Sequence, residues 1–249
     1  MKPAKSPRHI LRGLLIALFW LGVWQAASML VAKPVLFASP VDTVRALLHL
    51  LPTKDFWLSV LGSFRRIALG FSLALVLGML TGIAAFRFCV LRELLSPLLT
   101  LMKSVPVASF IILILVWFGS GKLAVIVALL IVFPLIYFST LSGLGSADPE
   151  LLEMAKVHRV PAARTAWQIY RPALWPYLRG ACASALGMSW KAGIAAEVIG
   201  TPARSIGEQL YLSKIYMDTA ELFAWTLTVI VLSAVFEKAV LWLLGKAGK

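Results

Sequence analysis

Apolar residues in this chain come in long runs separated by short polar segments. Six runs, at about 14–32, 64–86, 94–118, 123–144, 176–199 and 222–244, are long enough to be bilayer-spanning helices, since a span takes about 20 residues. The first run follows Lys2, Lys5, Arg8 and Arg12, as a secretory leader would. It is longer than the usual h-region of about 7 to 15 residues and closes on Leu30-Val31-Ala32 with no small-residue cleavage pattern, so it reads as a retained span. The third run is interrupted by Pro97, Lys103 and Pro106, which predicts a bent approach followed by a short helix from Val107 to Phe118.

Two segments between the runs carry helix-start grammar. Ser39-Pro40 with Asp42 supplies an N-cap, a first-turn proline and an acid at N3. Val44, Leu47, Leu48 and Leu51 then fall on one face, which predicts an external amphipathic helix lying on the membrane or on the bundle. Asp148-Pro149-Glu150 repeats the pattern after the fourth run. It opens the longest connection, 147–175, where Pro161 predicts a break and Pro172 predicts the end of a second helix at Arg171. A helix, a sharp bend and a second helix form an ordered projection, far more than two spans need for reconnection, and this suggests docking.

Composition agrees with a membrane protein. Of 249 residues, 60% are hydrophobic and 14% charged, against about a quarter charged in soluble domains. The net charge of +13 would suggest nucleic acid in a soluble protein, but here an inner-loop bias explains it and no nucleic-acid partner is expected. Placing both termini in the cytoplasm puts fifteen Lys and Arg inside and nine outside. Arg65 and Arg66, on the outer side of the second span, run against that trend.

Catalytic chemistry is absent from the pattern. Cys89, Cys182 and three scattered histidines have no metal-ligand spacing, so neither metal nor bound cofactor is expected. No Ser-His-Asp, H-E-x-x-H or paired-carboxylate arrangement occurs at usable spacing. The segments around Gly121-Lys122 and Gly245-Lys246 lack the glycine spacing and the Ser or Thr of a P-loop. Energy for any pumping must come from another subunit.

Within the long connection, Glu153-Met154-Ala155, followed by Ile169 and Pro172, resembles the EAA-type loop of type I ABC importer permeases. The resemblance extends from about residue 39 to 237. It includes Ser104-Val105-Pro106, Trp117-Phe118-Gly119, Asp148-Pro149-Glu150-Leu151-Leu152, Pro172-Ala173-Leu174-Trp175-Pro176, and Ala195-Ala196-Glu197 with Ser205-Ile206-Gly207. These motifs are similar to the nitrate/sulfonate/taurine branch. The resemblance implies an all-α integral membrane protein of six transmembrane helices with the MetI-like permease fold and cytoplasmic termini, in a bacterial-type inner membrane.

It further implies a permease that is not itself an enzyme and passes a small, anionic solute of the nitrate, sulfonate or taurine type. An importer of a pyrimidine-type vitamin precursor and, outside the family, an ion-coupled secondary transporter are the alternatives. Besides membrane lipid, the implied partners are two cytoplasmic ATP-binding subunits that hold ATP and Mg, a second permease copy as a homodimer, and an external solute-binding protein. The chain then divides into a tail with the first span (1–32), an external segment with its amphipathic helix (33–63), a core (64–244) containing the coupling loop (147–175), and a tail (245–249).

The resemblance assigns the coupling surface to Glu153, Met154, Ala155, Val157, His158, Arg159, Pro161, Ile169 and Pro172. Departures from the family are Met154 for alanine, Arg159 for glycine and Arg171 for leucine. With no glycine at 159, Pro161 is expected to make the bend, and Arg159 to face acidic or hydrogen-bond-accepting groups on the ATPase. Ser184, Met188 and Lys191 on the fifth span are candidates for the translocation pathway. An intramembrane lysine marks transport routes or snorkels to the interface. Gly78 and Gly82, as G-x-x-x-G, and Gly187 are assigned to helix packing.

Overall fold

The computed structural model describes residues 7–31, 33 and 35–247. The tail bases Lys2, Lys5 and Lys249, and Ala32 at the end of the first run, lie outside the described residues. Every regular element among the described residues is helical: α1 (Pro7–Val31), α2 (Pro40–Leu50), α3 (Lys54–Arg87), α4 (Cys89–Ser104), α5 (Val107–Phe118), α6 (Ser120–Gly145), α7 (Pro149–Val157), α8 (Ala162–Thr165), a π turn (Ala166–Tyr170), α9 (Arg171–Gly200), α10 (Ile206–Ile215) and α11 (Thr219–Ala247).

Two compact units result, and the chain passes between them inside α3, α10 and α11. The first comprises Met1–Trp57 and Gln209–Thr228. In it the Trp24 indole N–H donates to the Ala38 carbonyl at 3.0 Å, and its ring stacks on Phe223. Ser39 caps α2 as expected, its hydroxyl accepting from the Asp42 N–H at 3.1 Å. The predicted apolar face of α2 is not buried: Val44 and Leu48 are exposed, and Thr43 is the residue that packs inward. An open apolar face suits an interfacial helix.

The second unit comprises Leu58–Glu208 and Val229–Lys249. Its core joins α3, α6 and α9 through Phe71, Ala74, Val132, Ile136, Leu178, Cys182 and Leu186. Small residues on α3 make this possible. A Cβ added to Gly78 would stand 2.9 Å from the Ile136 Cβ, and one on Gly82 would stand 2.7 Å from the Thr140 Cβ. Gly70 extends the same stripe, since a Cβ there would come within 2.5 Å of the Val125 carbonyl. Close backbone approach of this kind replaces the missing hydrophobic drive between helices in lipid. Gly187 does not share this role: a Cβ there would meet nothing within 4 Å.

Among the described residues four helices are long and apolar enough to cross a membrane, α1, α3, α6 and α11, and the bent pair α4 and α5 makes a fifth candidate. That pair turns by 104° at Val105 and Pro106, which is the bent approach and short helix expected. α9 has thirty residues, a length of about 45 Å. It is not among those candidates, because Lys191 and Glu197 join its Gly and Ser residues in lowering its apolarity. α3 starts at Lys54, ten residues before the expected start of the second span. Its 34 residues extend about 51 Å, longer than the ~30 Å hydrocarbon core.

Candidate functional site

The long connection folds as a helix, a bend and a second helical segment. Asp148 caps α7, its carboxylate accepting from the Glu150 N–H at 2.9 Å. At the other end, the Arg159 N–H donates to Lys156 O at 3.1 Å, and the Val160 N–H donates to Ala155 O at 2.9 Å. These two bonds are the Schellman closure, which requires a left-handed residue at the position after the cap. Arg159 takes that conformation, with φ +51°. The bend is therefore made at Arg159 itself, the position where glycine is expected, and not by Pro161 alone. Pro161 then caps α8.

The second segment does not stop at Pro172. It continues through the π turn into α9, with Pro172 in the first turn of that helix. Proline lacks an N–H and its ring crowds the carbonyl four residues back. The π turn, closed by the Arg171 N–H donating to Ala166 O, widens the backbone there and lets the helix run on. Arg171 lies over the Trp167 ring at 4.0 Å, so the residue replacing the family leucine packs within its own helix.

Exposure separates the coupling residues into two groups. Glu153, Met154, Val157, His158, Arg159 and Pro161 are exposed, with Val157 at 79% and Met154 at 56%. Pro172 is exposed too, whereas Ala155 is buried and offers no surface and Ile169, half-buried, offers little. Trp167, at 64% exposure, is a further open apolar side chain on this connection and was not anticipated from the sequence.

The pathway candidates share one open face. Ser184, Met188 and Lys191 on α9 are all exposed, spaced four and three residues apart, so they stand in line on the helix. Met188 also lines a cavity of 480 Å³ beside the break between α4 and α5.

A second constellation ties the far end of α9 to α3. The Glu197 carboxylate is fully buried and accepts from Ser63 Oγ at 2.5 Å, Arg66 Nη1 at 3.1 Å and the Gly207 N–H at 3.4 Å. Arg66 donates further to the Ala203 carbonyl at 2.9 Å, and Ser63 Oγ accepts from the Ile206 N–H at 2.8 Å. Gly62 and Gly207 permit the approach: a Cβ on the first would overlap the Arg204 carbonyl at 2.2 Å, and one on the second would overlap Glu197 Cβ at 2.3 Å. The Arg66 that ran against the charge trend is thus half of a buried ion pair. Ala195-Ala196-Glu197 and Ser205-Ile206-Gly207, noted separately in the sequence, meet here.

Known proteins share this sequence pattern. The family model described as binding-protein-dependent transport system inner membrane component matches residues 74–245. A putative aliphatic sulfonates transport permease of Bacillus subtilis is 27% identical over 227 residues, 90% of this chain and 81% of its own. The taurine transport system permease of Escherichia coli is 24% identical over 86% of this chain and 80% of its own. A bicarbonate transport system permease of Synechococcus elongatus is 28% identical over 65% of this chain and 61% of its own.

Proposed function

Because the chain belongs to the family of binding-protein-dependent transport inner membrane components, an ABC transporter permease of the inner membrane, we propose that it forms the path of an ATP-driven importer for a small oxyanion. The supporting observation is the 149–170 projection, which leaves Met154, Val157 and Trp167 exposed on a segment that also carries the exposed bases Arg159 and Arg164. Exposed apolar side chains rimmed by charge mark protein contact sites. A subunit that had only to span lipid would have no use for them.

In this reading two ATP-binding subunits, holding ATP and Mg, seat on the projections of two permease copies. Glu153, Val157, His158 and Arg159 touch the ATPase, with Arg159 facing acidic or accepting groups. The six spans are α1, α3, the α4–α5 pair, α6, α9 and α11, with both termini in the cytoplasm. Closing of the ATPase pair moves the projections, and α9, continuous with α8 through the π turn, carries the motion into the membrane. Ser184, Met188 and Lys191 then border the path, and an external binding protein delivers the solute.

The relatives' names, which specify aliphatic sulfonates, taurine and bicarbonate, support this choice of solute class. All three compounds carry an anionic oxygen group. Reconstitution in liposomes with the partner ATPase and binding protein tests the reading. ATP-dependent uptake of a labelled alkanesulfonate, lost on Val157→Asp with the permease still inserted, is the expected result. A tagged chain that retains no ATPase, with uptake unaffected by ATP, contradicts it.

A further inference from the structure

Arg92 and Lys103 stand on the same face of α4, eleven residues or about three turns apart, a separation of about 16 Å along the axis. Ser96 lies between them on that face, one turn from Arg92. Opposite is the α6 stripe Phe138, Leu141 and Ser142. Two cavities fill the space. One, of 340 Å³, is lined by Arg92, Ser96, Tyr137 and Ser142 near the ends of α3 and α6 that the charge count places inside. The other, of 480 Å³, is lined by Lys103, Ser139, Tyr177 and Met188. Both are bordered by Phe138 and Ser142, so they adjoin, and the Lys103 ammonium sits 4.5 Å from the Phe138 ring at their junction. Among the described residues no carboxylate lines either cavity.

A buried hydroxyl sharpens the picture. Tyr137 is 1% exposed, and its phenol oxygen has no hydrogen-bond partner among the described residues although the ring borders the Arg92 cavity. An unsatisfied buried hydroxyl is unfavourable unless something meets it. Around it are a guanidinium with five donors and two serine hydroxyls, with no fixed anion. A cation and hydroxyl donors with no carboxylate beside them describe a site that suits an oxyanion.

We propose that the paired cavities between α4 and α6 are an inner station of the solute path, where Arg92 and the Tyr137 hydroxyl hold the oxyanion group of the solute. Lys103 is the preceding station, and Met102, Val105 and Met188 around it receive a short apolar body. The inference rests on the importer reading for its solute and its direction of travel. The geometry of an anion site in this unit stands apart from that reading.

Equilibrium binding tests it. The full chain in phosphatidylcholine nanodiscs is titrated with radiolabelled ethanesulfonate in wild-type, Arg92→Gln, Tyr137→Phe and Arg87→Gln forms. Arg87 lies close by in sequence but lines neither cavity. Removal of one donor to a charged acceptor weakens binding by roughly tenfold or more, so Arg92→Gln and Tyr137→Phe are each expected to do so while Arg87→Gln leaves it unchanged. Tyr137→Phe deletes a hydroxyl that bonds nothing, so the fold has no reason to suffer. No binding in the wild type, or equal binding in all four forms, overturns the proposal.

Two further arms separate the sources. If ethanesulfonate fails to bind while phosphatidylglycerol, added to the nanodiscs, is retained by the wild type and lost in Tyr137→Phe, the site belongs to a lipid headgroup and the solute station is wrong. ATP-driven uptake in proteoliposomes with the partner subunits is then scored on the same variants. Wild-type uptake that persists unchanged in Arg92→Gln and Tyr137→Phe sinks the station and spares the importer reading. Tyr137-dependent binding without any uptake upholds the anion site and sinks the importer reading.

Discussion

The guanidinium of Arg66 on α3 lies 3.1 Å from the carboxylate of Glu197 on α9, although the two residues are 131 positions apart in the chain. Glu197 is fully buried and the Arg66 side chain is 16% exposed; Ser63 and the Gly207 N–H also donate to the carboxylate, and the guanidinium donates further to the Ala203 carbonyl. Such a pair resists screening by salt and leaves an uncompensated charge if one partner is removed.

Arg66→Ala should therefore destabilise the protein by about 3 to 5 kcal/mol, and Glu197→Gln by less, since the amide keeps a hydrogen-bonding group in the site. Arg66→Lys should recover only part of the loss, because an ammonium cannot reach Glu197 and the Ala203 carbonyl as a fork does. Thermal unfolding in detergent, with the Arg66→Ala and Glu197→Gln double mutant closing a cycle, measures the coupling. Additive losses would mean that the pair does not act as a unit.

Local chemistry was legible in the sequence and distant chemistry was not. Ser39 and Asp148 could be recognised as caps because each acts on a backbone N–H two or three residues away. The break between α4 and α5 was written in Pro97, Lys103 and Pro106. Arg66 looked anomalous on its own because its partner lies on another helix, and Tyr137 sat unremarked in an apolar run because nothing local shows an unpaired hydroxyl. Gly70 has no second glycine four residues on to mark it, and Ala74 stands there in the same core. Gly187 was misassigned because a small residue shows that approach is possible and does not show that a neighbour arrives.

The bend at Arg159 makes a prediction opposite to the one its chemistry invites. A side chain in the left-handed region costs roughly 1 to 2 kcal/mol relative to glycine, so Arg159→Gly should stabilise the α7 end by about 1 kcal/mol. Arg159→Val should weaken it, because branching at Cβ worsens the same clash. Hydrogen exchange at the Val160 amide, which closes the motif onto Ala155, reports both. If Arg159→Gly also lowers ATPase co-purification, the guanidinium contacts the partner as well, and stability and docking separate at one residue.

Packing between α3 and α6 should tolerate no side chain at Gly78 or Gly82, two of the three glycines assigned to helix packing. Gly82→Val places branched carbons where Thr140 Cβ already stands 2.7 Å from a simple Cβ, and Gly78→Val meets Ile136 in the same way. Overpacking of this kind costs about 1 to 3 kcal/mol, and more where backbone cannot move. Gly187→Ala meets nothing within 4 Å and should leave folding intact, or raise stability slightly through helix propensity. Detergent melting of the three variants checks the order, and a Gly187→Ala loss as large as that of Gly82→Val would contradict the geometry.

The open face of α9 gives the transport prediction. Lys191 is exposed and stands about 9 Å along the helix from Glu197, and Glu197 instead accepts from Ser63, Arg66 and Gly207. A lysine on the same line as Ser184 and Met188 can attract an anion into the path or extend to the headgroups, and the two roles differ in what lysine must do. Attraction needs only a positive charge at that depth, so Lys191→Arg should keep uptake of an alkanesulfonate while Lys191→Ala lowers it, with complex assembly and basal ATPase activity unchanged in both. The loss should be greatest at low ionic strength, because the field of an exposed charge is screened within about 8 Å at physiological salt. Equal uptake by Lys191→Ala and wild type at every salt concentration would place the side chain at the lipid interface and leave Ser184 and Met188 to define the path.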